Sequence, residues 1–230
     1  MTANPIPSRR RPRVALALNL AVTSIAVAAA GLTWQSSDWR PTTLVLALVV
    51  FAVVSELFPI ELRPRSHPLG GWFFTSSAPF VLAAVCLGPA PALAVAMLAL
   101  AASALAERSP WQAVVANAAN YAIFSVAAAL AAGAAVRALN IRPEDPTLAV
   151  LVVGTYAFVV VLNFAMTAGY SALADEQVRT AAANQWRLQL AAEAPIALMT
   201  GLTVHLYGTS GLGALALLAL VQLLFVQIAR

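Results

Sequence analysis

Residues 72–107, WFFTSSAPFVLAAVCLGPAPALAVAMLALAASALAE, contain two apolar runs separated by Gly88-Pro89-Ala90-Pro91. Ser76 and Ser77 are residue types that favour an N-cap, and Pro79 falls in the first turn of the predicted helix, where a missing N–H costs little. The Gly-Pro-Ala-Pro step ends this helix, because each proline removes a donor and restricts the residue before it. Small residues on both arms allow close approach of the backbones. The stretch therefore predicts a tight transmembrane hairpin with its hinge at this step.

The composition indicates a membrane protein. Hydrophobic residues make up 61% of the 230 positions, charged residues make up 10%, and the mean hydropathy is +0.84. A soluble globular protein carries about 25% charged residues. We therefore expect an all-α, polytopic transmembrane helical bundle with six to eight helical segments. Residues 1–13 form a basic tail, and residues 14–230 form one membrane domain.

The apolar runs place eight helices. They are 14–31, 42–60, the two helices of the hairpin, 112–135, 148–170, 190–207, and a last helix that ends at Ile228-Ala229-Arg230. The third helix is the doubtful span, since residues 79–88 cover only about 15 Å. It crosses the bilayer if it begins near Phe73, and otherwise it is a half-helix buried among its neighbours. The polar connection 172–189 predicts a surface helix.

The basic residues predict the orientation. The tail ends in Arg9-Arg10-Arg11-Pro12-Arg13, a cluster that is retained in the cytoplasm and attracted to anionic lipid. A cleavable signal is the alternative, but its apolar region is about 7–15 residues, shorter than the run found here. With both termini cytoplasmic, ten arginines lie inside and three outside. This distribution agrees with a multi-pass protein of the cytoplasmic membrane.

Polar side chains inside the predicted spans are the candidates for function. An ionisable group at membrane depth costs about 2.5–3.5 kcal/mol on insertion scales, so it normally faces the bundle interior or a cavity. The functional interpretation is a ligand pocket or a protonation switch. The alternative is structural: the glutamates reach headgroup water, the asparagines bond neighbouring helices, and the histidine is interfacial. The candidates are Glu56, Asn117, Asn120, Asn163, Glu193 and His205.

Sequence signatures of catalysis are absent. The chain has no ligand spacing typical of a metal site, no phosphate-binding Gly-Lys-Ser/Thr motif and no nucleophile elbow, and Cys86 stands alone in an apolar run. We expect no enzyme activity, no cofactor, no metal and no nucleic-acid partner. A weak internal sequence similarity indicates a repeat. It relates Glu56-Leu57-Phe58-Pro59-Ile60 to Glu193-Ala194-Pro195-Ile196.

Three blocks of the sequence resemble a known family. They are Glu56–Ile60 leading into FTSSAPFVLAAVCLGPAPALAVAMLA, then RSPWQAVVANAANYAIFSVAAALAA, and finally the stretch from LNFAMTAGY to the C-terminal LVQLLFVQIAR. Together they resemble the MASE-type membrane sensor regions that precede HD-GYP or GGDEF domains in bacterial signalling proteins. Asn117-x-x-Asn120-Tyr121 departs from the Asn-Ala-x-Gln-Tyr form of that group, which leaves the role of Asn120 open.

The resemblance implies a sensory input module that passes a conformational change through the last helix to a cytoplasmic output domain or a partner protein. Its other expected partners are the lipid bilayer, a small-molecule ligand and a second copy of the chain. The Leu-Gly-Pro-Ala hairpin is also similar to the substrate-binding subunits of energy-coupling-factor vitamin transporters. In that alternative, Glu56, Asn117, Asn163 and Glu193 line an outward-facing pocket. A membrane protein without any ligand is the third alternative.

Overall fold

The chain forms a bundle of α-helices with one short pair of strands in a computed structural model. The structure describes residues 10–40, 42–58, 60–62, 71–73, 77–172, 193–208 and 210–229. Within these ranges, side chains are described for 14–40, 42–58, 77–166, 193–208 and 210–221. The predicted surface helix at 172–189 lies almost entirely outside the described residues.

The described residues form eight α-helices, which confirms the predicted all-α class. Their bounds are α1 Arg10–Leu32, α2 Thr42–Leu57, α3 Ser77–Cys86, α4 Pro89–Glu107, α5 Trp111–Leu139, α6 Thr147–Ala172, α7 at 193–208 and α8 Leu212–Ala229. Strands β1 (Ile60–Leu62) and β2 (Gly71–Phe73) pair antiparallel, with Glu61 opposite Trp72. A single 3₁₀ turn, Ser36–Trp39, lies between α1 and α2.

Four of these helices are long and apolar enough to cross a bilayer, namely 14–32 of α1, α4, α5 and 147–166 of α6. The outer surface of the bundle is apolar as well. Large hydrophobic side chains on several helices are exposed, among them Leu18, Val50, Leu98, Val161 and Leu202. Exposed large apolar side chains on so many helices suit a surface that faces lipid. The fold is therefore that of a multi-pass membrane protein.

Two sharp turns define the ends of the bundle. At one end Gly88 joins α3 to α4 with φ 94°, a conformation that favours glycine, and the Asp38 carboxylate lies beside it. At the other end Arg108 joins α4 to α5 with φ 52°. We call these the Gly88 end and the Arg108 end. The predicted hinge is confirmed, since Pro89 and Pro91 both fall in the first turn of α4, where proline is tolerated.

The α5–α6 loop lies at the Gly88 end. Asn140 ends α5 in the left-handed conformation, which asparagine adopts more readily than most residues. The N–H of Thr147, the first residue of α6, donates to the Asp145 carboxylate at 2.8 Å. Hydrogen bonds from the side chain and backbone of Thr147 lower the pKa of Asp145 below its ordinary value. This loop also receives the end of α7, because Gly208 lies next to the carbonyl of Pro143.

Helix α5 is the centre of the bundle, since α1, α3, α4 and α6 all pack against it. This packing depends on alanine. Ala119, Ala122 and Ala128 are fully buried, and each presents only a methyl group to its neighbours. Without a hydrophobic driving force between helices in lipid, such close backbone contact supplies much of the attraction.

Helix α3 is a half-helix. It begins at Ser77, and because β2 ends at Phe73, the structure excludes the longer helix that would have begun near Phe73. Its ten residues cover about 15 Å, half the thickness of a bilayer core. All side chains from Ala78 to Ala84 are buried, as a short helix at membrane depth requires. The alternative of a buried half-helix is therefore the correct one.

The other differences from the predicted boundaries have local causes. Helix α1 begins at Arg10, so part of the predicted basic tail is helical, and α2 ends at Leu57 rather than Ile60. Pro59 explains the early end of α2, because it disfavours helical conformation at Phe58 and the chain continues as β1. Cys86 is exposed at the surface of the bundle.

Helices α6 and α7 approach each other closely at Gly201. A Cβ atom there would lie 2.8 Å from the carbonyl oxygen of Ala149 and 2.7 Å from a methyl carbon of Val153. The backbone oxygen cannot move aside without moving α6. Gly201 therefore sets the distance between the two helices.

We predict that Gly201→Ala lowers the free energy of unfolding by about 1–3 kcal/mol, the usual cost of overpacking. Unfolding of the purified protein in mixed detergent micelles measures the change. Gly154→Ala on α6 is the control, because its Cβ would meet no atom within 4 Å. Equal stability of the two variants would contradict the close α6–α7 contact.

Candidate functional site

Glu56 lies inside the bundle near the end of α2. Only 2% of its surface is exposed, although Glu56 is the second-last residue of its helix. The Tyr121 hydroxyl of α5 donates to its Oε1 at 2.6 Å. This burial favours the interpretation in which the carboxylate faces the bundle interior over the alternative in which it reaches headgroup water. Its partner is a side chain of the central helix.

Glu193 of α7 has the same kind of partner. It is 5% exposed, and the Tyr156 hydroxyl of α6 donates to its Oε2. Tyr156 is fully buried and is also hydrogen-bonded to the side chain of Ser77, the first residue of α3. The burial of Glu193 likewise favours an interior position over contact with headgroup water. Three helices thus meet at this carboxylate–tyrosine pair.

The first turn of α3 connects the two pairs. Ser77 contacts Tyr156, while Phe80, one turn later, packs against Tyr121 with ring centroids 5.3 Å apart and the rings tilted by 53°. Phe124 completes an aromatic cluster, at 5.6 Å from Phe80 and 5.3 Å from Tyr121. Tyr156 lies nine residues into α6, about 13 Å along its axis, so this turn lies well inside the bundle. We call the two carboxylates and the residues around them the α3 site: Glu56, Ser77, Phe80, Tyr121, Phe124, Tyr156 and Glu193.

The α3 site combines groups that exchange hydrogen bonds and charge in an apolar environment. The first N–H groups of α3 have no partner within their own helix, and the start of a helix carries partial positive charge that favours nearby carboxylates. Each tyrosine hydroxyl offers its carboxylate one donor. A change in charge or a polar ligand can alter these hydrogen bonds, because a group that loses its partner in the apolar interior finds few others. The described residues contain no group of three His, Cys, Asp or Glu side chains that could hold a metal ion.

The asparagines divide into two cases. Asn120 of α5 donates from Nδ2 to Oδ1 of Asn163 on α6 at 2.5 Å, so this pair links neighbouring helices as the structural alternative predicts. The Oδ1 atom of Asn120 is buried and has no hydrogen-bond partner among the described residues. Asn117, one turn before Asn120, is exposed at the surface of the bundle. The structure therefore does not bring all three together.

The remaining predicted residues lie away from the α3 site. His205 is half-buried in the last turn of α7, near the Gly88 end. Arg10, Arg11 and Arg13 belong to the first turn of α1, whereas Arg9 lies outside the described residues. The hinge residues Gly88, Pro89 and Pro91 lie at the opposite end of α3 from Ser77.

Sequence reasoning did not select the residues that hold the two carboxylates. Tyr156 carries a detectable signal, because it lies seven residues before Asn163 and so shares its helical face. Tyr121 directly follows Asn120. Asn19 of α1 was also missed, and its Oδ1 atom is buried without a hydrogen-bond partner among the described residues. Asn19 is a polar residue within the first apolar run, and this placement alone could have identified it as a candidate.

Most other buried hydroxyl groups serve their own helices. Thr155, Thr200 and Thr203 each donate to the carbonyl four residues earlier, at 2.7 to 2.8 Å. This pattern satisfies a hydroxyl in lipid without a second helix. The two tyrosine–glutamate bonds differ, since each joins separate helices. They are thus the stronger candidates for a functional role.

No protein-family model, no curated protein and no solved structure matches this chain. Its function is therefore argued from the α3 site and the fold.

We predict that Tyr156→Phe lowers the free energy of unfolding by about 1–2 kcal/mol, because Glu193 loses a buried donor. In a Glu193→Leu background the same change should cost about 1 kcal/mol less. Unfolding in mixed micelles measures both values. Tyr207→Phe is the control, since Tyr207 lies 14 residues from Glu193 on α7, about 21 Å away. Equal losses from Tyr156→Phe in both backgrounds would exclude the coupling.

Proposed function

We propose that this protein is an integral membrane sensory input module in which the α3 site controls the position of α8. In this proposal, α8 relays the change to a cytoplasmic output domain or a partner protein, as in the MASE-type regions that the sequence resembles. The signal is a ligand or a change in the membrane that alters the hydrogen bonding of the buried carboxylates. The chain itself performs no catalysis in this scheme.

The observation that supports a relay is the short path from Glu56 to α8. Glu56 is the penultimate residue of α2, and β1 begins four residues later at Ile60. Both α2 and β1 contact α8. A change at the Glu56 carboxylate can therefore reach α8 through the backbone of α2 and β1, without a long series of side-chain contacts.

The hydrogen bond from Tyr121 ties the start of that route to the central helix. Tyr121 belongs to α5, the central helix, and is clamped by the aromatic rings of Phe80 and Phe124. When the Glu56–Tyr121 bond is intact, the end of α2 is tied to this rigid centre. When the bond is lost, one tie between the end of α2 and α5 is removed, while the contact of α2 with α8 remains. This is a two-state element of the kind that a relay requires.

The arrangement gives less support to a transporter subunit. A nutrient pocket was expected to be lined by Glu56, Asn117, Asn163 and Glu193. In the structure Glu56 and Glu193 accept bonds from separate tyrosines, Asn163 accepts one from Asn120, and Asn117 is exposed. We therefore keep the sensory module as the single proposed function.

We predict that Glu56→Gln, which removes the charge with little change in shape, shifts α8 relative to α4 by about 1–2 Å, as in other helix shifts. Spin labels at Leu105 and Leu220, both exposed, would report the distance after Cys86→Ser. Glu107→Gln is the control, because Glu107 is an exposed carboxylate at the same end of the bundle. An unchanged distance in Glu56→Gln would contradict the proposed relay. Native mass spectrometry that finds one small nutrient retained per chain would favour the transporter alternative.

We also predict that the C-terminus is cytoplasmic, because the positive-inside distribution and the relay both require it. A fluorescent protein that matures only in the cytoplasm, fused after Arg230, should fluoresce. Alkaline phosphatase, which is active only outside, should be inactive at the same position. The reverse result would exclude a relay to a cytoplasmic partner. A second phosphatase fusion after Arg142 is the control, and it should be active.

A further inference from the structure

Two asparagine side chains form a polar pair at the contact of α5 with α6, and a third lies one turn away. Asn120 of α5 donates to Oδ1 of Asn163 on α6. Asn117 precedes Asn120 by three residues, a spacing that places both side chains on one face of α5, about 5–6 Å apart. Because α5 begins at Trp111, Asn117 lies on the Arg108 side of the pair. Amide groups thus lead from the exposed Asn117 into the bundle.

The pair adjoins the α3 site on both of its helices. On α5, Asn120 directly precedes Tyr121, which donates to one of the buried carboxylates. On α6, Asn163 lies seven residues after Tyr156, which donates to the other carboxylate. Seven residues are two turns, so Asn163 and Tyr156 share a face of α6 and lie about 10 Å apart along its axis. The polar residues of the α3 site therefore continue toward the Arg108 end.

The hydrogen bonding of the pair is one-sided. Two amide side chains in contact can exchange two hydrogen bonds, since each carries a donor group and an acceptor. Here the bond runs from Asn120 to Asn163, and Oδ1 of Asn120 is buried without a hydrogen-bond partner among the described residues. A buried acceptor left without a donor costs about 1–3 kcal/mol. A reciprocal pair would hold the two helices together more stably, whereas the one-sided pair suits a small molecule that donates from O–H.

Asn117 is a polar residue at a depth where lipid would surround it. It is exposed, and it lies six residues after Trp111, about 9 Å along the axis of α5. Trp111 is 57% exposed and suits the level of the headgroups, so Asn117 lies deeper than that level. Hydrocarbon offers an amide no hydrogen bonds, but water offers both donors and acceptors. The position of Asn117 therefore favours a hydrated surface.

We propose that Asn117, Asn120 and Asn163 bind water and give the aqueous phase at the Arg108 end access to the α3 site. Asn117 lies at the entrance, and the Asn120–Asn163 pair lies at the inner end. Water supplies a donor to Oδ1 of Asn120, as buried waters do for other polar groups in protein interiors. This proposal deepens the sensory function, because it rests on the α3 site as the sensor and names the route by which a water-soluble signal reaches it.

The accessibility of introduced cysteines tests the water site in sealed membrane vesicles of both orientations. Cys86, the only cysteine of the chain, is first replaced by serine. Asn117→Cys and Asn120→Cys are then treated with a membrane-impermeant methanethiosulfonate that carries a sulfonate group. The reagent modifies the thiolate, which forms where water is present, so both cysteines should react about 100-fold faster than a thiol in lipid. A gel shift with a maleimide-linked polymer after denaturation counts the thiols that remain.

Val161→Cys is the matched control for a dry position. Val161 is 55% exposed and lies only two residues before Asn163 on α6, so it has nearly the same depth. Its cysteine should not react. Glu107→Cys marks the Arg108 end, because Glu107 is exposed in the last turn of α4. Asn120→Cys should react from the same side of the membrane as Glu107→Cys.

Two further variants keep the test decisive. Asn117→Cys replaces an exposed side chain and should fold as the parent does, and Asn163→Cys probes the inner end from α6 if Asn120→Cys fails to fold. An unreactive Asn117→Cys, or an inner cysteine that reacts no faster than Val161→Cys or only from the opposite side, would overturn the proposal. The distance measurement on Glu56→Gln is separate, so the relay can fail while the water site stands, and the reverse.

Discussion

The structure depends on one constraint, which is that α3 starts in the interior of a membrane bundle. A helix of ten residues cannot cross a bilayer, so its first N–H groups lie at depth. Lipid offers these groups no hydrogen bonds. Polar side chains must therefore gather at the first turn of α3. The presence of two buried carboxylates and two tyrosines around this turn follows from that requirement.

The same constraint explains the composition of α5. A half-helix leaves a gap in the bundle that neighbouring helices must fill from the side. Helix α5 packs against α3 as well as α1, α4 and α6, and its alanines allow all four to approach. Tyr121 and Phe124 are two of its large side chains, and both lie against Phe80 of α3. Two aromatic rings of α5 thus fill the space beside the short helix.

Much of this fold was predictable from the sequence. Hydropathy located all eight helices, and the Gly88-Pro89 step located the hinge, because prolines and apolar runs act locally. The start of α3 was not predictable, since residues 72–76 are apolar and hydroxylated and fit a helix as well as a strand. The tyrosine partners were missed for another reason. Which donor meets a buried carboxylate depends on helix packing, and one sequence does not report the rotation of each helix.

The sequence similarity between the Glu56 and Glu193 segments illustrates this limit. As a repeat it fails, because Glu56 is followed by the end of α2 and by β1, whereas α7 continues through Pro195. The chemistry nevertheless recurs. Each glutamate accepts a bond from a tyrosine on a different helix, and each tyrosine contacts α3, one through Ser77 and the other through Phe80. Two similar short motifs in a membrane sequence can therefore reflect the same requirement without a shared fold. Here the requirement is a buried acceptor that needs a donor. Both donors contact one turn of α3, and this shared turn is the contact through which the proposed relay would couple the two carboxylates.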